Sequence, residues 1–171
     1  MKYFDQLQHS MSWLGQKEDT LFVGQSVSVP GTAMFNTLKQ LPDHKRLELP
    51  VFEDTQMGLS LGMSLLGTKV ISIFPRWNFL LCATNQLVNH VDKFKLLSSG
   101  MCCPQLIIRT SVGSERPLFP GHQHIGNMSD AFRHMLINTD VIELHEPSDI
   151  MPSYKKAYNR VDGRSTILVE F

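Results

Sequence analysis

The chain has 171 residues with 42% apolar and 19% charged side chains, the balance of one globular domain around one core rather than of a disordered chain. Its 16 basic and 16 acidic residues cancel, leaving no surplus of cations to displace counterions from nucleic acid, so a general nucleic-acid binder is not expected. No apolar run reaches the ~18 residues of a membrane span, and Asp5, Gln6, Gln8 and His9 interrupt the stretch where a signal peptide needs unbroken apolar residues. The three cysteines, Cys82, Cys102 and Cys103, are odd in number and form no CxxC pair. That usage fits a reducing compartment, and a cytoplasmic location is expected.

In chain order, the first stretch places Phe4, Leu7, Met11 and Leu14 on one helical face, with Gly15 as its stop. Six short apolar runs then read as buried strands: 21–24, 46–49, 69–74, 105–109, 141–145 and 167–171. Between them, residues 56–67, 79–97, 129–136 and 149–158 carry helical spacing, the last with Pro152 taken in its first turn. The 79–97 segment lacks Gly and Pro and is the longest helix predicted. Strands alternating with helices, the strands nearly continuous in apolar residues, imply a single doubly wound α/β domain with a mostly parallel six-stranded sheet flanked by helices. Residues 1–19 form an N-terminal helix and lead-in.

Two segments depart from plain core-forming pattern. In 56–67, Gly58 and Gly62 stand four apart, leaving one helix face bare at a cost of about 1 kcal/mol each against Ala, so close packing on that face is expected. Residues 111–127 follow a strand and hold three glycines, two prolines and His122 and His124. Such loops, at the carboxyl ends of parallel strands, are where α/β folds bind ligands. His122 and His124 would face the same way on an extended segment, but no third ligand stands at metal spacing, so no metal site is expected and proton exchange by histidine is favoured. Glu53 and Asp54 read as first-turn charges complementing the helix dipole. Cys102 and Cys103 read as core residues or residues leading into the fourth strand. Arg76, Trp77, Asn78 and Phe79 make an aromatic turn, either core or a platform for a flat ring. Phosphate-binding signatures are absent.

Four stretches carry a resemblance when taken together. The glycine-spaced run from Gln56 to Gly67 is similar to the motif E-x-G-x-x-G-x-A-x-G. Phe74 to Phe79 followed by Ala83-Thr84-Asn85-Gln86-Leu87-Val88-Asn89 is similar to an aromatic turn and A-x-D-Q-x-x-N. Ser98 to Gly100, Pro104 to Arg109 and Gly113 are similar to a Ser-Gly-Gly strand with R-x-P-x-G, and Gly121-His122-Gln123-His124 is an intact G-x-Q-H. In order and spacing, over about residues 20–171, they resemble the pyrimidine-binding domain of thiamine-diphosphate enzymes (transketolase-like), in particular the beta chain of 2-oxoacid dehydrogenase decarboxylase components of the pyruvate, branched-chain and acetoin types.

The resemblance implies a subunit of a thiamine-diphosphate-dependent decarboxylase, dehydrogenase or carboligase acting on a 2-oxo acid. The diphosphate and Mg2+ would be held by a GDG-bearing alpha-type partner, in an α2β2-like assembly. The present sequence has no such motif, and neither a diphosphate-binding domain nor a C-terminal transketolase domain is expected within it. Phe79 matches the aromatic that stacks on the pyrimidine, and His124 the histidine beside the reacting carbon. Gly58 and Pro75 match cofactor contacts, Pro75 replacing a common Met. Gln56 is matched to the glutamate that activates the aminopyrimidine; an amide holds the ring but exchanges no proton with it. Two readings stay open: a true substitution, and a register in which Glu53 or Asp54 supplies the carboxyl. The first allows an alternative function, a catalytically silent interface or regulatory subunit.

Overall fold

The computed structural model describes residues 2–114 and 119–171. Each of the six apolar runs is a strand: β1 (Thr20–Gly24), β2 (Arg46–Glu48), β3 (Lys69–Ile73), β4 (Ile107–Ser111), β5 (Thr139–Leu144) and β6 (Ser165–Glu170). They form one sheet in the order β2-β1-β3-β4-β6-β5, with every neighbouring pair parallel. The helices are α1 (Tyr3–Gly15), α2 (Ala33–Leu38), α3 (Glu53–Leu65), α4 (Trp77–Leu81), α5 (Phe94–Leu97), α6 (Ser129–Met135) and α7 (Pro147–Tyr158). Among the described residues no helix is long and apolar enough to cross a membrane.

Alternation along the strands splits the core into two layers, because successive side chains leave a strand on opposite faces. Phe22, Ile71, Ile107 and Leu168 point to one face and meet Met11 and Leu14 of α1, Leu38 of α2 and Ile150 and Tyr154 of α7. Val23, Val70, Ile108 and Ile167 point to the other and meet Met57 of α3, Trp77 and Leu80 of α4 and Phe132 of α6. This is the doubly wound α/β arrangement expected from the sequence.

Several local expectations are corrected. The 79–97 segment is not one helix: α4 ends at Leu81, a π-helical stretch covers Gln86–Val91, and α5 begins at Phe94. The Thr84 hydroxyl donates to the Leu81 carbonyl at 2.6 Å, taking an acceptor that a continuing helix would use. The π turn keeps Leu87 and Val91 on the core. Helix α7 starts at Pro147, so Pro152 lies inside it rather than in its first turn; it sits on the solvent side, where water can serve the carbonyl it leaves unpaired. Cys102 and Cys103 are exposed, in a turn braced by the Ser98 hydroxyl, and not in the core. Close packing is not found at the glycines of α3. They lie on the face turned away from the sheet, where a Cβ on Gly62 would meet nothing within 4 Å and one on Gly58 only the Gln86 side chain at 3.7 Å.

Candidate functional site

The chain leaves β1 toward α2 on one face of the sheet and leaves β3 toward α4 on the other. Adjacent parallel strands whose connections diverge open a crevice at their carboxyl ends. A cleft of about 800 Å³ occupies that place, lined by Gln25 and Ser26 after β1, by Pro75, Arg76 and Phe79 after β3, and by Ser111 to Gly113 after β4. Its far wall is apolar, with Phe4 and Leu7 of α1 and Met34 of α2.

Two hydrogen-bonded devices hold this shape. Glu48, at the end of β2, accepts the backbone N–H groups of Ser26, Val27 and Ser28 at 2.8, 2.8 and 2.7 Å. The three donors converge because Ser26 adopts a φ of 59°, and the carboxylate fixes the loop beside the crevice. At the cleft floor Arg109 makes a forked pair with Glu170, Nε to Oε1 at 2.5 Å and Nη2 to Oε2 at 2.9 Å, and donates to the Thr37 hydroxyl at 2.9 Å. The Tyr154 hydroxyl completes the carboxylate at 2.8 Å. Burial by itself would lower the Arg109 pKa; the Glu170 carboxylate outweighs it and raises it. The phenol of Tyr154 is pushed well up by burial and then by Glu170, and burial pushes Tyr3 up to about 12. A buried pair of this kind is neutral as a unit, so it shapes the floor without adding net charge.

The residues singled out by sequence fall into two places. Phe79 is half-buried on the cleft, and its ring lies 6.0 Å from the ring of His124, centroid to centroid, at 31°. Gly113 allows this approach, since a Cβ there would stand 2.0 Å from the His124 carbonyl oxygen. His122 and His124 lie on a 3-10 turn rather than an extended segment, so they diverge. His122 packs on Phe119 at 5.2 Å while His124 faces Phe79, with its Nδ1 buried and unpaired among the described residues. Residues 115–118 of this loop lie outside the described residues. Pro75 lines the cleft, and its carbonyl accepts the Ser111 hydroxyl at 2.7 Å. Trp77 of the aromatic turn is core, 5.0 Å from Phe132.

Gln56 is elsewhere. It is fully buried between α3 and the sheet, its amide donating to the Ile73 carbonyl at 2.9 Å and to the Ser72 hydroxyl at 3.2 Å, and Gly24 makes room for it. Gln56 does not line the cleft. Glu53, one turn earlier at the head of α3, is also buried, and its Oε1 accepts the Gln25 amide at 3.0 Å. Gln25 lines the cleft, so a carboxylate is held next to the cleft wall by a residue on it. Among the described residues, no three His, Cys, Asp or Glu gather to hold a metal ion.

No protein-family model matches the chain. Over 124 residues it is 27% identical to the pyruvate dehydrogenase E1 component subunit beta of Gracilaria tenuistipitata var. liui, a match covering 70% of this chain and 38% of that protein. Among solved structures, a split-gene transketolase described as an inactive beta4 tetramer superposes with a TM-score of 0.63 at 16% identity, over 98% of this chain and 50% of that one. The chain resembles a transketolase-like pyrimidine domain. It spans half or less of the length of these two relatives. The cleft lies at the carboxyl ends of the parallel strands, where α/β folds bind ligands; Arg76 comes to it from the aromatic turn, and the contributors the sequence did not single out are Gln25 and the Arg109–Glu170 pair. The pair left only a faint mark in the sequence, a charge in each of the runs 105–109 and 167–171, which the structure brings together on neighbouring strands.

Proposed function

We propose that this chain is the pyrimidine-binding, beta-type subunit of a split thiamine-diphosphate enzyme acting on a 2-oxo acid, and that Glu53, not Gln56, supplies the carboxyl group. The observation that carries the reading is the Glu53–Gln25 hydrogen bond at the cleft wall, set against an inward Gln56 whose amide is committed to β3. Spacing supports it as well. With Gly58 and Gly62 as the second and third glycines of E-x-G-x-x-G-x-A-x-G, the glutamate falls on Glu53, Thr55 replaces the first glycine and Ser60 the alanine.

The residues fit an aminopyrimidine. Phe79 offers a flat apolar face on the cleft. Glu53 has one oxygen anchored by Gln25, which leaves the other to share a proton with a ring nitrogen. His124, beside Phe79, has an unpaired buried nitrogen to offer a substrate or its product. When bound, thiamine diphosphate supplies the carbanion chemistry for breaking or making a bond at the 2-oxo carbon. This chain orients the ring, holds a proton at Glu53 and screens the reacting centre from water. The diphosphate and Mg2+ fall to an alpha-type partner. The bare glycine face of α3, flanked by exposed Leu59, Leu65 and Leu66, suits close approach of a second chain.

The test is co-purification with a GDG-bearing chain, followed by bound thiamine diphosphate and 2-oxo acid turnover. Glu53→Gln is expected to retain cofactor within a few-fold and to lose turnover by about 10²–10⁴-fold. Full turnover in Glu53→Gln refutes the assignment of the carboxyl group. Absence of cofactor from every assembly refutes the family function.

A further inference from the structure

We propose that Arg76 is the anion-recognising residue of the cleft and binds the negatively charged group of the substrate, a carboxylate or a phosphate. The inference rests on the reading above for the identity of the site but not for the anion binding itself.

Six arginines are described. Arg46, Arg109, Arg133, Arg160 and Arg164 each hold a carboxylate. The side chain of Arg76 holds no carboxylate, hydrogen-bond acceptor or aromatic ring among the described residues, although it is half-buried. An arginine with five donors in a fixed fork and no acceptor is an unfinished contact when water is partly excluded from it. Its place gives that contact a direction. Arg76 lines the cleft between Pro75 and Phe79, and its Cδ packs on Gly113, so the stem is held while the guanidinium is not.

Charge in the cleft points the same way. Three of its described lining residues are charged, and two of these, Arg109 and Glu170, neutralise each other at the floor. Among the described lining residues Arg76 remains as an uncompensated cation in a cleft of about 800 Å³ whose far wall is apolar, a setting that strengthens attraction to an anion relative to open water. The planar fork fits two oxygens of a carboxylate or phosphate at once. Three residues along, Phe79 fixes where a flat ring would lie, so an anion on Arg76 is attached to a small molecule standing beside that ring. The chemistry implied is a small acid or phosphate ester with its charged end at Arg76 and its body toward Phe4, Leu7 and Met34.

Binding of pyruvate, ribose 5-phosphate and inorganic phosphate to the full chain, followed by calorimetry and by the arginine Nε–H resonances, tests this. Arg76→Gln is expected to weaken the bound anion by about 10- to 100-fold with an unchanged melting temperature, and Arg76→Lys to recover part of it. Binding of pyruvate alone assigns a carboxylate; binding of the phosphates alone assigns a phosphate. No anion binding by the wild type, or equal binding by Arg76→Gln and wild type, overturns the proposal. Arg76-dependent binding in a chain whose assemblies retain no thiamine diphosphate would refute the family function and leave the anion site standing. Retained cofactor with Arg76-independent anion binding would do the reverse.

Discussion

Gln56→Glu separates the two carboxyl assignments by stability alone. Gln56 has no exposed surface, and its amide nitrogen lies 2.9 Å from the Ile73 carbonyl oxygen and 3.2 Å from the Ser72 hydroxyl. A carboxylate in that place would set negative oxygen against the lone pairs of a carbonyl, with no cation near, so the new side chain keeps its proton and donates it to Ile73. The unfolded chain releases that proton near pH ~4.3. Holding it to pH 7 costs about 1.4 kcal/mol per pH unit, or about 3.7 kcal/mol in all. To this is added about 1 kcal/mol at every pH for the donor lost to Ser72.

The sign follows from the raised folded-state pKa: stability is retained below pH ~4.3 and lost as pH rises above it. Urea denaturation of wild type and Gln56→Glu from pH 4 to 8 should give a difference near 1 kcal/mol at pH 4 that grows by about 1.4 kcal/mol per unit toward pH 7. A difference that stays flat across this range refutes the placement of Gln56 in the core. A flat difference accompanied by tighter thiamine-diphosphate binding would return the activating position to Gln56.

Three further outcomes test the architecture around the cleft. Gly113→Ala places a methyl 2.0 Å from the His124 carbonyl oxygen, so the His124 loop must move; a loss of about 1–3 kcal/mol in denaturant unfolding and a shifted His124 ring resonance are expected. Glu48→Ala strands three converging N–H groups at Ser26, Val27 and Ser28, and a loss of about 2–4 kcal/mol with faster amide exchange at those residues is expected. Tyr3 ionises near pH ~10 when unfolded but is pushed up to about 12 by burial in the fold. Its contribution is therefore complete below pH ~10 and lost as pH rises through 12. Tyr3→Phe should start less stable by about 1 kcal/mol, through lost bonds to Leu144 and Phe171, and show a shallower alkaline decline.

The sheet was legible because its signal is redundant. Each of the central strands β1, β3, β4 and β6 carries two or three buried apolar residues, and a run such as Lys69–Ile73 has few other ways to hide Val70, Ile71 and Ile73. Helix α2 was not legible. Six residues including Asn36 and Thr37 carry no periodicity, and Thr32 starts the helix only because its hydroxyl finds Phe35 N–H in the folded chain. The break in 79–97 likewise depends on one hydroxyl, that of Thr84, which propensity treats as a minor cost.

The cleft was legible only where a residue type announces itself. Glycine at 113 and histidine at 124 mark a loop worth attention, and Phe79 marks an aromatic turn. Gln25 carries no such mark, and Glu53 alone reads as a first-turn charge or a register alternative; their partnership spans 28 residues at 3.0 Å. Gln56 stands beside two glycines in the sequence, and the helix turns it, with Ser60, toward β3. A helix advances 100° per residue, so a three-residue difference in register carries a side chain about 60° around the helix and one turn along it. Here that single turn separates a carboxylate held next to the cleft wall by Gln25 from an amide locked in the core.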